Sequence, residues 1–341
     1  MPAPSPCQGE GRGEGEETVK EIVMLSKTAN SHQRIPVILD TDIGTDIDDT
    51  WALAFMLRSP ELDVKLVVTD TGDTTRRAGI VARMLEIGGR TDVPVGVGIH
   101  LEAAPLPQAA WVEGYDLARY PGRVYEDGVG AIVETIMRSP EPVTLVCIGP
   151  LPNISAALAR EPEIARRARF VGMHGSIRRG YGGSETVSAE YNVAHFPLAC
   201  RKAFAAPWDV TITPLDTCGL VRLEGEKYRA VRDCQAPLVQ AVLENYRVWA
   251  SNCAWSQGVD TETQSSVLFD PVAVYLAFSE ELLAMERLGI RVTDDGYTVV
   301  DDTARAINCA MEWKDLPAFE DLLVQRLTGG WSSMSPISSA M

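Results

Sequence analysis

The sequence is short of positive charge, of long apolar runs and of paired cysteines, and each shortage removes a class of function. Lys and Arg number 31 against 47 Asp and Glu, a net charge of −16. Nucleic acids and anionic membranes both require a basic patch, so neither is an expected partner. No apolar stretch approaches the ~20 residues of a membrane span. The seven cysteines are odd in number and scattered, with no CxxC pair, which favours reduced thiols in a cytoplasmic protein over a disulfide framework. What the chain does have is a 45% hydrophobic content over 341 residues, enough for one large α/β domain or two small ones.

Acidic residues are concentrated where it matters most. In the stretch from Ile35 to Leu57 an apolar run ends in five aspartates, Asp40, Asp42, Asp46, Asp48 and Asp49, and a helical pattern follows at once. So much negative charge in ten residues is costly unless a cation neutralises it. The apolar run reads as a buried parallel strand, with Ala52, Leu53, Phe55, Met56 and Leu57 forming the inner face of the next helix. The carboxylates then lie beyond a strand's carboxyl end, where open α/β sheets bind ligands. Oxygen-only ligands favour calcium or magnesium over zinc. Helix capping explains one or two of these aspartates, not five. An EF-hand loop fails, because counting from Asp40 puts Gly44 at position 5 and Trp51 at position 12. An aspartyl phosphatase built on Asp40-Thr41-Asp42 leaves Asp48, Asp49 and Asn192 unexplained.

The rest of the chain alternates. Strands are expected at Leu62–Thr69, Val93–Val97, Val143–Ile148 and Ala168–Met173, with helices at Thr74–Gly88, Gly128–Arg138 and Leu151–Arg160. This order predicts a single α/β domain with a mostly parallel open sheet flanked by helices. Residues 99–127 and 174–190 read as long binding loops. Glu224–Trp255, broken at Pro237, and a helix from Pro271 predict a helical cap over the sheet's carboxyl edge; Asp294-Asp295-Gly296 predicts a hairpin turn among two or three strands. Residues 1–33 read as a disordered extension, with Met24 an alternative start, residues 329–341 as a flexible tail, and 34–328 as the folded unit.

Four segments in this order, the aspartate motif, the turn Ile148 to Ile154, Ala189 to Asn192 and Asp270 to Val274, resemble the nucleoside hydrolases over roughly residues 35–325. The resemblance implies hydrolysis of the N-glycosidic bond of ribonucleosides to base and ribose, one Ca2+ in the pocket, and a homodimer or homotetramer. It implies that Asp42 is the base that activates calcium-bound water and, with Asp49, Asp270 and the main-chain oxygen of Ile148, a metal ligand. Asp48, Asp73, Met173, Glu190 and Asn192 are implied as substrate contacts, with Asp40 and Asp46 supporting the loop. The chemistry agrees: an oxocarbenium-like sugar calls for an activated water, fixed hydroxyls and help for the departing base.

The sequence also departs from the family pattern. Five residues, Ile43 to Ile47, separate Asp42 from the Asp48-Asp49 pair where three are usual, so Asp46 is a rival for Asp48's role. Phe269 stands where many members carry a proton-donating histidine, and none of His32, His100, His174 or His195 fills that slot. Ser184 stands near the position of a ribose-binding Asn, and His174, replacing a glycine, is either a base-side donor or a filler. Trp111, Tyr115, Tyr246, Trp249 and Trp255 are candidates to roof the pocket, Asn153 reads as a turn and cap residue, and Cys147 as packing. A non-catalytic nucleoside sensor or carrier, or a hydrolase of another ribosyl compound, is the competing class.

Overall fold

Strand β1 (Ile35–Thr41) shows how the sequence makes this fold, because its side chains alternate between two separate apolar cores. Val37 and Leu39 join the core on one face of the sheet, and Ile38 joins the core on the other. A computed structural model describes residues 34–101, 105–256 and 259–330. The expected N-terminal extension, and the expected tail from residue 331, lie outside these residues.

The sheet has ten strands: β1, β2 (Leu62–Thr69), β3 (Val95–Val97), β4 (Val124–Tyr125), β5 (Val143–Cys147), β6 (Ala168–Met173), β7 (Val210–Thr213), β8 (Leu283–Val292), β9 (Thr298–Val300) and β10 (Ala306–Trp313). Their order across the sheet is β4-β3-β2-β1-β5-β6-β7-β10-β8-β9. All pairs from β4 to β10 are parallel; only β8 with β10, and β9 with β8, run antiparallel. The chain therefore moves outward from β1 on one side, then returns to build the other side from β5. The gap between β1 and β5 is the topological switch point, where such sheets take their ligands.

Helices cover both faces. On the first lie α1 (Asp48–Leu57) and α2 (Thr74–Ile87), and on the second α3 (Gly128–Arg138) and α4 (Pro152–Arg160). The short α5 (Tyr191–His195), then α6 (Pro197–Ala205), α7 (Leu215–Cys218), α8 (Gly225–Arg232), α9 (Pro237–Asn252), α10 (Asp270–Leu276) and α11 (Leu316–Thr328) follow. Helix α1 differs from the one-faced helix its sequence suggests. It is buried from Asp48 to Met56, because α9, α10 and α11 pack over its outer side. The expected hairpin forms at β8–β9, where Thr293 N donates to Tyr297 O at 2.9 Å. Among the described residues no helix is long and apolar enough to cross a membrane, and the six described cysteines are free.

Candidate active site

The loop Asp42–Ile47 leaves β1 at the switch point and enters α1, whose first turn carries Asp48 and Asp49. The positive end of a helix favours carboxylates there. Thr41 ties the start of the loop to its end: its hydroxyl donates to Asp49 Oδ1 and accepts from Ile43 N at 3.0 Å. Across the gap, Ile148 follows β5 and its N–H donates to Asp40 O at 2.9 Å. Gly149 lets the two chains approach, since a Cβ there would meet Asp42 N at 2.8 Å. Asp270 arrives from far along the chain as the first residue of α10, its N–H donating to Asp48 Oδ2 at 3.3 Å.

One carboxylate oxygen each from Asp48, Asp49 and Asp270 lies within 4.8 Å of the others. All three residues are at most 3% exposed. Burial first, then repulsion from neighbouring aspartates, Asp46 for Asp48, Asp42 for Asp49 and Asp48 for Asp270, holds each carboxyl well above its ordinary range. Asp42 lines the same cavity of about 290 Å³ and is also raised by burial, with the Arg77 guanidinium opposing. No Lys or Arg among the described residues forms a salt bridge with any of these four aspartates. Three converging oxygen donors with no cationic partner fit a hard divalent cation, and offer no nitrogen or sulfur for a softer one.

The opposite wall comes from the ends of β5 and β6 and from α5. Asn192 Nδ2 donates to Ile148 O at 3.1 Å and to Met173 O at 3.0 Å, which orients its side-chain oxygen. Glu190 caps α5, accepting from Asn192 N at 2.7 Å, Gly175 N at 2.9 Å and Val193 N at 3.2 Å. Burial still pushes its carboxyl up to about 7. Asp46 sits nearer the mouth, half-buried, with one oxygen taken by Ile47 N at 2.7 Å and its carboxyl pushed up to about 6, mainly by burial. Tyr181, Phe269 and Trp255 complete the mouth; the Tyr181 and Phe269 rings meet edge-on at 6.0 Å.

Several residues picked out in the sequence lie elsewhere. Asp73 is exposed and caps α2, accepting from Arg76 N at 3.0 Å, so it lies outside the cavity; its helix-capping geometry turns it away from the pocket. Ser184 is exposed, its hydroxyl taken by Thr186 N at 3.0 Å. His174 is fully buried, 3.2 Å from Gly149 O and against the Phe170 ring, and burial drops its pKa to about 3. It is a neutral filler behind the pocket, not a donor to the base. Of the five candidate roofing aromatics only Trp255 lines the cavity. Trp249 instead donates to Thr45 O at 3.2 Å and stacks on Tyr246, while Trp111 lies beneath Arg83 and Tyr115 bonds Glu86. Asn153 does not cap a helix: it donates to Asp40 Oδ1 at 2.8 Å and Thr69 O at 3.1 Å, and accepts from Ile99 N at 2.9 Å.

Some site residues escaped sequence reasoning. Tyr181 and Tyr191 sit in or beside a loop already marked as a binding loop, and the tyrosines there were the available signal. Asp70 is fully buried against Asp40, with no donor to either oxygen among the described residues. Burial, then Asp40, raises its carboxyl well above normal, and burial pushes Asp40 itself up to about 7. Two carboxyls so placed each oppose the ionisation of the other. Arg77, on the first turns of α2, is fully buried beneath the loop. Nothing in the local sequence marks it, since Arg76 and Arg77 alternate equally well.

The model of the inosine-uridine preferring nucleoside hydrolases matches residues 37–321. A non-specific ribonucleoside hydrolase of Klebsiella pneumoniae is 38% identical over 197 residues, covering 54% of this chain and 62% of that protein. The chain thus spans under two thirds of the length of that relative. A pyrimidine-specific ribonucleoside hydrolase of Citrobacter koseri is 30% identical over 319 residues, 86% of this chain and 98% of the relative. Among solved structures, a plant nucleoside hydrolase superposes with a TM-score of 0.72 at 22% identity over 87% of this chain and 99% of that one. A purine-preferring ribonucleoside hydrolase from Gardnerella vaginalis gives 0.68 at 22% identity, over 86% and 98%. The two structures share the fold.

Proposed function

The chain belongs to the inosine-uridine preferring nucleoside hydrolase family, and from that premise we propose that it hydrolyses the N-glycosidic bond of ribonucleosides to free base and ribose. The observation that carries this reading is the meeting of Asp48 and Asp49 with Asp270 inside one cavity beside Asp42. Asp49, Asp270, Asp42 and the main-chain oxygen of Ile148 would hold a calcium ion, whose chemistry there is to orient water and lower its pKa.

Asp42 is the base that takes the proton of the attacking water. Burial raises its carboxyl, and the Arg77 guanidinium beneath the loop opposes that shift. Asp48 and Asn192 bind ribose hydroxyls, with Glu190 accepting from a hydroxyl on its remaining lone pairs and Met173 packing on the sugar. Asp48 stands closer to the ligand set than a pure sugar contact needs, so it shares the cation's field while it grips the ribose. Asp40, tied by Asn153 and Asp70, fixes the strand end from which Asp42 projects. The base leaves toward Tyr181, Phe269 and Trp255, a wall with aromatic faces and no histidine. Assembly as a homodimer or homotetramer in the cytoplasm belongs to the same reading, and free, mostly buried thiols suit a reducing compartment.

Ribose release from a panel of purine and pyrimidine nucleosides, with and without a chelator, tests the proposal. Release that stops on chelation and in Asp42→Asn supports it. Nucleoside binding without turnover would make the chain a sensor or carrier, the reading that Phe269 in the histidine's place favours.

A further inference from the structure

The lengthened loop between Asp42 and Asp48 is held from below by one side chain. Arg77 is fully buried, yet no carboxylate among the described residues lies within salt-bridge distance of it. A charge so placed is costly unless its donors are satisfied. Four of its bonds go to two loops: Nη1 to Asp42 O and, at 2.9 Å, to Ile43 O; Nη2 to Thr45 Oγ1 at 2.8 Å; and Nε to Thr71 O at 2.9 Å. Thr71 has φ +55, a left-handed conformation that a β-branched residue adopts only under constraint, and its carbonyl is one of those Arg77 takes. Gly44, at φ +115, supplies the bend between the Ile43 and Thr45 contacts.

We propose that Arg77 is a positioning residue that locks the loop bearing Asp42 into its reactive geometry before any cation or substrate binds. A planar guanidinium can reach four acceptors spread over Asp42, Ile43, Thr45 and Thr71 at once; an ammonium cannot. The inference rests on the proposed hydrolysis for its kinetic consequence, but not for its structural one. With two residues more than the usual spacing, this loop has more freedom to lose, and Arg77 removes it.

The test compares native protein with Arg77→Gln and Arg77→Lys, with exchange read on chelator-treated protein and kinetics on calcium-supplemented protein. Amide hydrogen exchange across residues 42–48 is read first, then kcat and KM for nucleoside hydrolysis. Loop exchange in Arg77→Gln accelerates at least about tenfold, while β1 and α2 keep their protection. Its kcat falls about 100-fold with KM changed less than about threefold, as expected for a misplaced catalytic group, and Arg77→Lys recovers part of the loss. A folded Arg77→Gln whose loop exchange and kcat both stay within about twofold of native overturns the proposal. So does exchange that rises evenly over β1, β2 and α2, which marks a general packing role. If Arg77→Gln does not fold, Thr45→Val removes the Nη2 acceptor; unchanged loop exchange there likewise overturns it. A native protein that releases no ribose defeats the hydrolase reading alone, and the exchange measurement still decides the role of Arg77.

Discussion

Removing divalent cations at pH 8 should cost this protein stability that it retains at pH 5. Oxygens of Asp48, Asp49 and Asp270 lie within 4.8 Å of one another, and at an effective dielectric of 20 each ionised pair repels by about 3 kcal/mol. Three such pairs approach about 10 kcal/mol, the scale of a whole domain's stability. Without a cation the cluster therefore holds protons. A carboxyl whose folded pKa is raised contributes stability fully below its unfolded value and loses it as pH rises through the folded one. Asp40 and Glu190 are also pushed to about 7 and Asp46 to about 6, so their share of the loss runs from the ordinary carboxyl range of about 4 up to about pH 7, and the raised Asp48, Asp49 and Asp270 add to it in the same direction. Calcium at 100 times its Kd restores about 3 kcal/mol, or roughly 5 °C in a domain of this size. Thermal midpoints from pH 5 to 8, in chelator and in calcium, measure the first part. Calorimetric titration at pH 6 in buffers of different ionisation enthalpy measures the second, with about one to two protons released per ion. A midpoint flat across this range in chelator, or binding heats that ignore the buffer, refutes the reasoning.

Replacing Asp42 by Asn should lower kcat about 10²- to 10⁴-fold while leaving the thermal midpoint nearly unchanged, as steady-state kinetics and melting curves would record. Asn153→Ala removes two buried hydrogen bonds and a half-buried one and strands the Asp40 carboxyl, so urea unfolding should show a loss of about 2–4 kcal/mol. Tyr181→Ala strips an aromatic partner from Phe269 at the cavity mouth and should raise KM for the nucleoside about two- to tenfold. An unchanged KM would place the base elsewhere.

Much of this molecule is readable from its sequence for definite physical reasons. Strands β1 and β5 are mostly apolar and buried, β2 and β6 are mostly apolar apart from Asp63, Lys65 and Arg169, and their order with the helices dictates a parallel sheet. The meeting of Asp270 with the opening aspartates was legible only through the order of motifs, since no local pattern reports a contact over 222 positions. Strand β7 is four residues long, and helices α6 and α11 carry weak or broken patterning, so they gave little to read. Asp73, His174 and the aromatic candidates show the limit at the site itself. Position in a motif says which loop a residue joins, not which way its side chain turns; Asp73 turns to cap α2, and Trp249 turns inward to hold Thr45. Arg77 was invisible because three of its four partners are main-chain carbonyls, which every residue possesses.

In the proposed mechanism, acidic groups from opposite ends of the chain share one divalent ion. Crystals grown in calcium, with diffraction collected at a long wavelength where calcium scatters anomalously, test this directly. A single anomalous peak about 2.3–2.6 Å from oxygens of Asp42, Asp49, Asp270 and Ile148 is the predicted result. A map with no peak between these residues, or with Asp270 facing solvent, contradicts it.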